Sequence, residues 1–402
     1  MLSTYNKFDQ WSTEFAVPFF LIASLFFVPI SSSAKSLFIA LSVTFILLTK
    51  SYRSCLKNIS RYPWSQAAVG LFLLAILGCG WSHAWGNERL LVLEKYSKLL
   101  YLPILAVGFK DAKIRFLGLH AFMAAMFITC LLSILKFTQI IQYHGTDAGE
   151  IFHNHIMTGY MMSLAAYLSA YYCGREHGWF RIGYGILTLI FSFQLLFINT
   201  SRTGTVVFFV LLMIFFVQTF SWRHLLTALI ITVLTIITSY CLNHNIKIQV
   251  DQAINDWHLF HQQNHKDTSL GYRIQFHDYA KKLFYRHPII GNGTASFTYT
   301  YGIEKPVPSW SRRLLEPHSQ YWLVLAEFGI VGIFLLVYFF ASLFFASLTL
   351  QSMKFVAIAV LLPFFLGNLS DSLLFYSGTG YCFLLFMALC LGEQQQIESA
   401  PP

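Results

Sequence analysis

Four short stretches hold residues whose types could do chemistry. In LLEPHSQYW, residues 314–322, a single histidine, His318, stands where a polar segment gives way to an apolar one. A neutral imidazole, with a reference pKa of about 6.5, suits a general base at neutral pH; a histidine satisfied by a nearby carbonyl is the plainer reading. In NTSRTG, residues 199–204, Thr200 or Ser201 can cap the helix that follows, which sets free N–H groups beside the guanidinium fork of Arg202. That pairing suits an anion, and it equally suits an arginine reaching to lipid headgroups. Arg273, in LGYRIQFHDYA, is either an anion ligand or a solvated charge. Asp371, in GNLSDSLL, can orient an arginine or histidine, or cap the final helix.

Other polar residues point away from a site. His153 and His155 in FHNHIMTGY look like a metal pair, but residues two apart do not share a helix face. With no HExxH, no DxD and no carboxylate cluster in the sequence, no metal or other cofactor is expected. Glu327 falls nine residues beyond His318, on the opposite face of the same helix and about 13 Å along it. It cannot orient His318 and reads as a buried structural group.

The elements that must position these residues are membrane helices. The chain has 402 residues, of which 56% are hydrophobic, 17% aromatic and 11% charged, against about 25% charged in soluble proteins. Apolar runs long enough to span recur at roughly 15–31, 36–49, 65–81, 91–109, 116–135, 153–173, 179–199, 203–220, 224–242, 319–346, 353–369 and 373–392. The sequence therefore predicts an all-α polytopic membrane protein of about twelve spans. The seven cysteines are scattered, mostly in apolar runs, and form neither a disulfide framework nor a CxxC site. Lys50, Arg53, Lys57 and Arg61 crowd the second loop, Lys110, Lys113 and Arg115 the fourth, Arg175 and Arg181 the sixth, and Arg223 the eighth. By the positive-inside rule both termini are cytoplasmic and the segment 244–317 faces out. The formal charge of +9 reflects that bias, and nucleic-acid binding is not indicated. The chain thus divides into spans 1–9 over residues 1–243, an outer segment over 244–317, and spans 10–12 with a polar tail over 318–402. Within the outer segment Ile274, Phe276, Tyr279, Leu283 and Phe284 recur at helical spacing before Pro288 and Gly291, which predicts an amphipathic helix over the membrane face.

Together these stretches resemble the O-antigen ligase and polymerase family of membrane glycosyltransferases. The residues that carry the resemblance are FHNHIMTGYM, INTSRTG, GYRIQFHDYAKKLFYRHPIIGNGTASF and EPHSQYWLVLAEFGIVG. It covers roughly residues 150–372, while the N-terminal third agrees in hydropathy alone. The resemblance implies transfer of a glycan from undecaprenyl pyrophosphate to a sugar hydroxyl of lipid A-core, at the periplasmic face of the bacterial inner membrane. It further implies inversion without a metal, His318 as general base, Arg202 and Arg273 on the pyrophosphate, Asp371 in support, and a periplasmic loop at 244–317. Polymerases and protein O-oligosaccharyltransferases of the same family use other acceptors. The protein-modifying members have more chain after the signature than the about 84 residues that follow His318 here, which favours the ligase. A transporter of lipid-linked sugars is the alternative from another class, but its charges should lie near the bilayer midplane in two related halves.

Overall fold

Apolar residues in lipid leave the backbone no water to bond, so every N–H and C=O must be satisfied within a helix. Accordingly the chain folds as helices, with no strand among the described residues. The computed structural model describes residues 7, 9–142, 147–219, 225–263 and 265–399. Arg223, His144 and the end of the tail at 400–402 lie outside the described residues. After a π-helical turn at Ser12–Ala16 the helices are α1 (Val17–Phe27), α2 (Ser32–Leu48), α3 (Lys50–Ile59), α4 (Pro63–Gly78), α5 (Gly86–Ser97), α6 (Tyr101–Gly108), α7 (Ala112–Phe137), α8 (His155–Cys173), α9 (Gly178–Phe193), α10 (Arg202–Thr219), α11 (Leu225–Leu242), α12 (His244–Gln262), α13 (Ser269–Arg286), α14 (Ser296–Glu304), α15 (Gln320–Leu348), α16 (Lys354–Gly367) and α17 (Ser377–Ser399).

Among the described residues five helical stretches are long and apolar enough to cross a membrane: Asp9–Phe27, Ala112–Phe137, Gly178–Ile198, Arg202–Thr219 and Gln320–Leu348. Two bent pairs bring the number to seven if each pair is one broken span. The chain is a multi-pass, all-helical membrane protein, and its apolar runs do not each become one straight span. α2 turns by 95° into α3, and α11 by 91° into α12. A 3-10 turn at Lys98–Leu100 divides α5 from α6. α8, although central, is buried along nearly its whole length and rich in tyrosine and serine, so it faces protein more than lipid. The expected outer segment is itself mostly helical, in α12, α13 and α14.

α13 forms where the 3.6-residue spacing predicts a helix, capped by the Thr268 side chain, which accepts from the Gly271 N–H. Its apolar face meets protein. Phe276, Tyr279, Ala280 and Leu283 are buried, the Phe276 ring against Trp310 and Tyr301. Each large side chain so buried contributes roughly 1.5–3 kcal/mol.

What docks α13 is a break in α15. Gly329 has φ +62° and ψ −153°, a region open only to glycine. The chain at 287–293 fills the break: the N–H groups of Ile330 and Val331 donate to the carbonyls of Pro288 and Ile289, while those of Asn292 and Gly293 donate to the carbonyls of Ala326 and Glu327. A Cβ at Gly329 would lie 2.5 Å from the Ile289 carbonyl oxygen. The glycine therefore permits both the bend and the close approach, and the backbone groups freed by the bend find partners in the loop.

Candidate active site

The turn before α10 is built by its own polar side chains. Asn199 Oδ1 accepts from the Ser201 N–H at 2.7 Å, and Ser201 Oγ accepts from the Gly204 N–H at 2.9 Å. Ser201 is thus the cap, while Thr200 donates instead to Asp147 Oδ2 at 2.5 Å. α10 crosses α8 with almost no space between backbones: a Cβ on Gly204 would lie 2.8 Å from the Gly159 Cα. Ser163 Oγ donates to the Gly204 carbonyl across the crossing. Arg202, the first residue of α10, is left at the edge, where its Nη2 donates to Gln252 of α12 at 3.2 Å.

Arg202 and Arg273 line one cavity of about 470 Å³, together with Thr200, Thr203 and His155. Arg273 stands on α13, with Nη2 3.6 Å from Asp371 Oδ1. Asp371 is fully buried and serves three partners, since Oδ1 also lies 3.2 Å from His318 Nδ1 and Oδ2 accepts from Thr203 Oγ1 at 3.0 Å. The structure therefore brings Arg273, His318 and Asp371 together, and puts Arg202 on the same cavity as Arg273. Asp371 does not cap the final helix, which begins six residues later at Ser377.

His318, which the sequence puts on one helix with Glu327, lies just before that helix, ahead of the cap Ser319, in the left-handed region at φ +56°. That conformation costs a non-glycine residue about 1–2 kcal/mol. Its backbone is held on both sides: the N–H donates to Glu316 Oε2 at 2.6 Å, and His277 Nε2 bonds the carbonyl at 3.1 Å. Phe276 stacks against its ring. Glu316 is in turn held by Ser372 Oγ at 2.6 Å and Tyr376 Oη at 2.7 Å, and its Oε1 lies 3.4 Å from His318 Nδ1. Burial draws the His318 pKa down, but the Asp371 hydrogen bond and the Glu316 and Asp371 charges outweigh burial and Arg273, and the result lies above the ordinary value. His277 has its pKa lowered, by burial first and then by the nearby His318 and Arg273, against the carbonyl bond and Glu316, which raise it. With its Nδ1–H given to Asp371, His318 keeps the Nε2 lone pair, which has no partner among the described residues, for another proton.

Glu316, His277 and Thr203 were missed from the sequence. A signal existed for His277, because Arg273 and His277 are four apart and so share a face of α13. None existed for the pairing of Glu316 with Ser372 and Tyr376, which come from the turn before α17. Two buried lysines secure that turn: Lys98 Nζ donates to the carbonyls of Phe375 and Tyr376, and Lys35 Nζ to Ser377 Oγ. Glu327 is buried as expected, its oxygens outside hydrogen-bond geometry but facing the N–H groups of Ala295 and Phe297 at the start of α14.

One grouping that could hold a metal ion is assembled by residues the sequence keeps apart. Asp147, Glu150 and His155 come together with ligand atoms within 4.8 Å of one another, a grouping that requires the loop before α8 to fold back. His153 turns away, and its Nε2 bonds the Val28 carbonyl at 3.1 Å. The Glu150 carboxyl is held below its usual range, chiefly by the hydrogen bond from His155.

Residues 187–337 match the family described as O-Antigen ligase. The matched segment runs from α9 into α15 and contains Arg202, Arg273 and His318. No curated protein matches the chain.

Proposed function

We propose, from the match of residues 187–337 to the O-antigen ligase family, that the chain transfers a glycan from undecaprenyl pyrophosphate to a sugar hydroxyl of lipid A-core, at the periplasmic face of the bacterial inner membrane. The observation that carries this reading is the shared Asp371 carboxylate, 3.2 Å from the His318 imidazole and 3.6 Å from the Arg273 guanidinium. A base and an anion-binding group are thereby joined at one point. The acceptor oxygen attacks the anomeric carbon, its proton passes to His318 Nε2, and the bond from that carbon to the pyrophosphate breaks with inversion. Arg202 and Arg273 take up the charge that grows on the leaving pyrophosphate, so no metal is required.

The surroundings of the arginines suit a lipid donor. The cavity beside Arg202 is continued by a second, which shares Arg202 and Gln249, and then by an apolar cavity of about 930 Å³ between α10, α11, α12 and α16. Residues such as Phe209, Met213, Ile236 and Phe365 line it. A polyprenyl chain would lie there with its pyrophosphate at the arginines. The about twelve spans and the outward placement of 244–317 belong to the same proposal, because they put this cavity at the membrane surface.

The test is incubation of purified protein with a lipid-linked glycan and, separately, lipid A-core, a second lipid-linked glycan, or a candidate acceptor protein. Transfer to lipid A-core alone is expected. Transfer only to a second glycan or only to protein would replace the ligase by a polymerase or a protein transferase. Donor left unconsumed with every acceptor would favour a transporter.

A further inference from the structure

The donor cavity has two unlike walls. Arg202 and Arg273 make one of them cationic. The other carries His155, the first residue of α8, backed by two carboxylates. Glu150 Oε1 accepts from the His155 backbone N–H at 3.2 Å and from its Nδ1 at 2.7 Å. Asp147 Oδ2 lies 3.9 Å from the same nitrogen. The loop that carries both acids is itself tied down: Asp147 accepts from Thr200 Oγ1 and the Gly149 N–H, and Lys136 Nζ donates to the carbonyls of Asp147 and Glu150. His155 is thus fixed in orientation, with the proton on Nδ1 directed to Glu150. Its Nε2 has no partner among the described residues, and in the neutral imidazole it is a hydrogen-bond acceptor.

A pyrophosphate suits the arginine wall and would be repelled by Asp147 and Glu150. A hydroxyl suits the imidazole wall, because an acceptor nitrogen backed by a carboxylate is a strong partner for an O–H donor. The cavity, about 470 Å³, falls within the range of about 300–1,000 Å³ usual for small-ligand sites, and a sugar attached to the pyrophosphate must lie beside it. We propose that His155, oriented by Glu150, is a specificity-determining residue that accepts a hydrogen bond from a hydroxyl of the first sugar of the donor glycan. This rests on the donor assignment made above.

Two probes separate sugar recognition from phosphate recognition: undecaprenyl pyrophosphate without a glycan, and the same lipid carrying the glycan used for transfer. Binding is measured on the full chain in detergent with EDTA present, so that no cation can bridge ligand and protein. His155→Ala should weaken the glycan-bearing lipid by roughly 5- to 150-fold, the range of one hydrogen bond to a partner otherwise left unsatisfied. The glycan-free lipid should bind unchanged. His155→Gln, which retains an acceptor oxygen, should recover part of the loss. His155→Phe fills the space without an acceptor and repeats the comparison if the alanine variant does not fold. Equal loss on both probes would make His155 a phosphate ligand or a structural residue, and no loss on either would make it a bystander; both overturn the inference. Arg202→Lys guards the premise: if it leaves glycan-free lipid binding intact, the donor assignment fails, whatever His155 does.

Discussion

Replacing Asp371 by asparagine removes one charge from the centre of the candidate site while keeping the side chain's size. When His318 takes up a proton, the imidazolium sits 3.2 Å from Asp371 Oδ1, and at an effective dielectric constant of about 20 such a pair is worth up to about 5 kcal/mol. Two features reduce the loss. Glu316 remains 3.4 Å from the same nitrogen, and the His318 side chain is 22% exposed, so water screens part of the charge. One feature increases it: without Asp371, the Arg273 guanidinium faces the imidazolium uncompensated. A net loss of about 2–4 kcal/mol corresponds to roughly 30- to 1,000-fold in turnover. The pH profile gives an independent readout. The base must be neutral, so activity rises with pH through the His318 pKa, which the wild-type site holds above its ordinary value. Asp371→Asn removes the negative charge that helps to raise it, leaving at most a neutral hydrogen bond, and the acid limb should move to lower pH even as the plateau falls. Initial rates of glycan transfer in detergent, taken from about pH 5 to 9, measure both. A plateau unchanged, or a limb that stays put or moves upward, would refute the pairing of Asp371 with a catalytic His318.

Further outcomes follow from the same geometry. His318→Ala should lower turnover by about 10²- to 10⁴-fold and leave donor binding nearly intact, whereas Arg202→Lys, which loses the bidentate fork, should weaken binding and turnover together; donor affinity measured beside transfer rate separates the two. Gly329→Ala places a side chain 2.5 Å from the Ile289 carbonyl oxygen at a glycine-only conformation, and should destabilise the fold by about 1–3 kcal/mol or more, seen as a lower unfolding temperature in detergent. Transfer should survive excess EDTA. Loss on chelation, restored by one divalent ion, would put a cation at Asp147, Glu150 and His155 and reject the metal-free mechanism.

The sequence by itself determined what depends on near neighbours along the chain. Hydropathy marked a membrane protein, the spacing of Phe276, Tyr279 and Leu283 marked α13, and Ser201 was one of two caps read for α10. The residue types of Arg202, Arg273 and His318 offered an anion site and a base beside plainer readings of each. The sequence left open whether Asp371 orients them or caps the final helix, and it did not offer Glu316. Asp371 lies 53 residues from His318, and Ser372 and Tyr376 lie 56 and 60 from Glu316; such pairs carry no local periodicity and meet only once α15 and the turn before α17 pack together. The same holds for the break at Gly329, which is stable because a loop 40 residues earlier supplies partners for its freed backbone groups, as Val331 and Ile330 do with Ile289 and Pro288. Hydrogen-bond satisfaction in a membrane protein is a property of the whole fold. Tertiary structure therefore decided which polar residues are catalytic candidates with partners and which, like His153, only close a turn against a neighbouring helix.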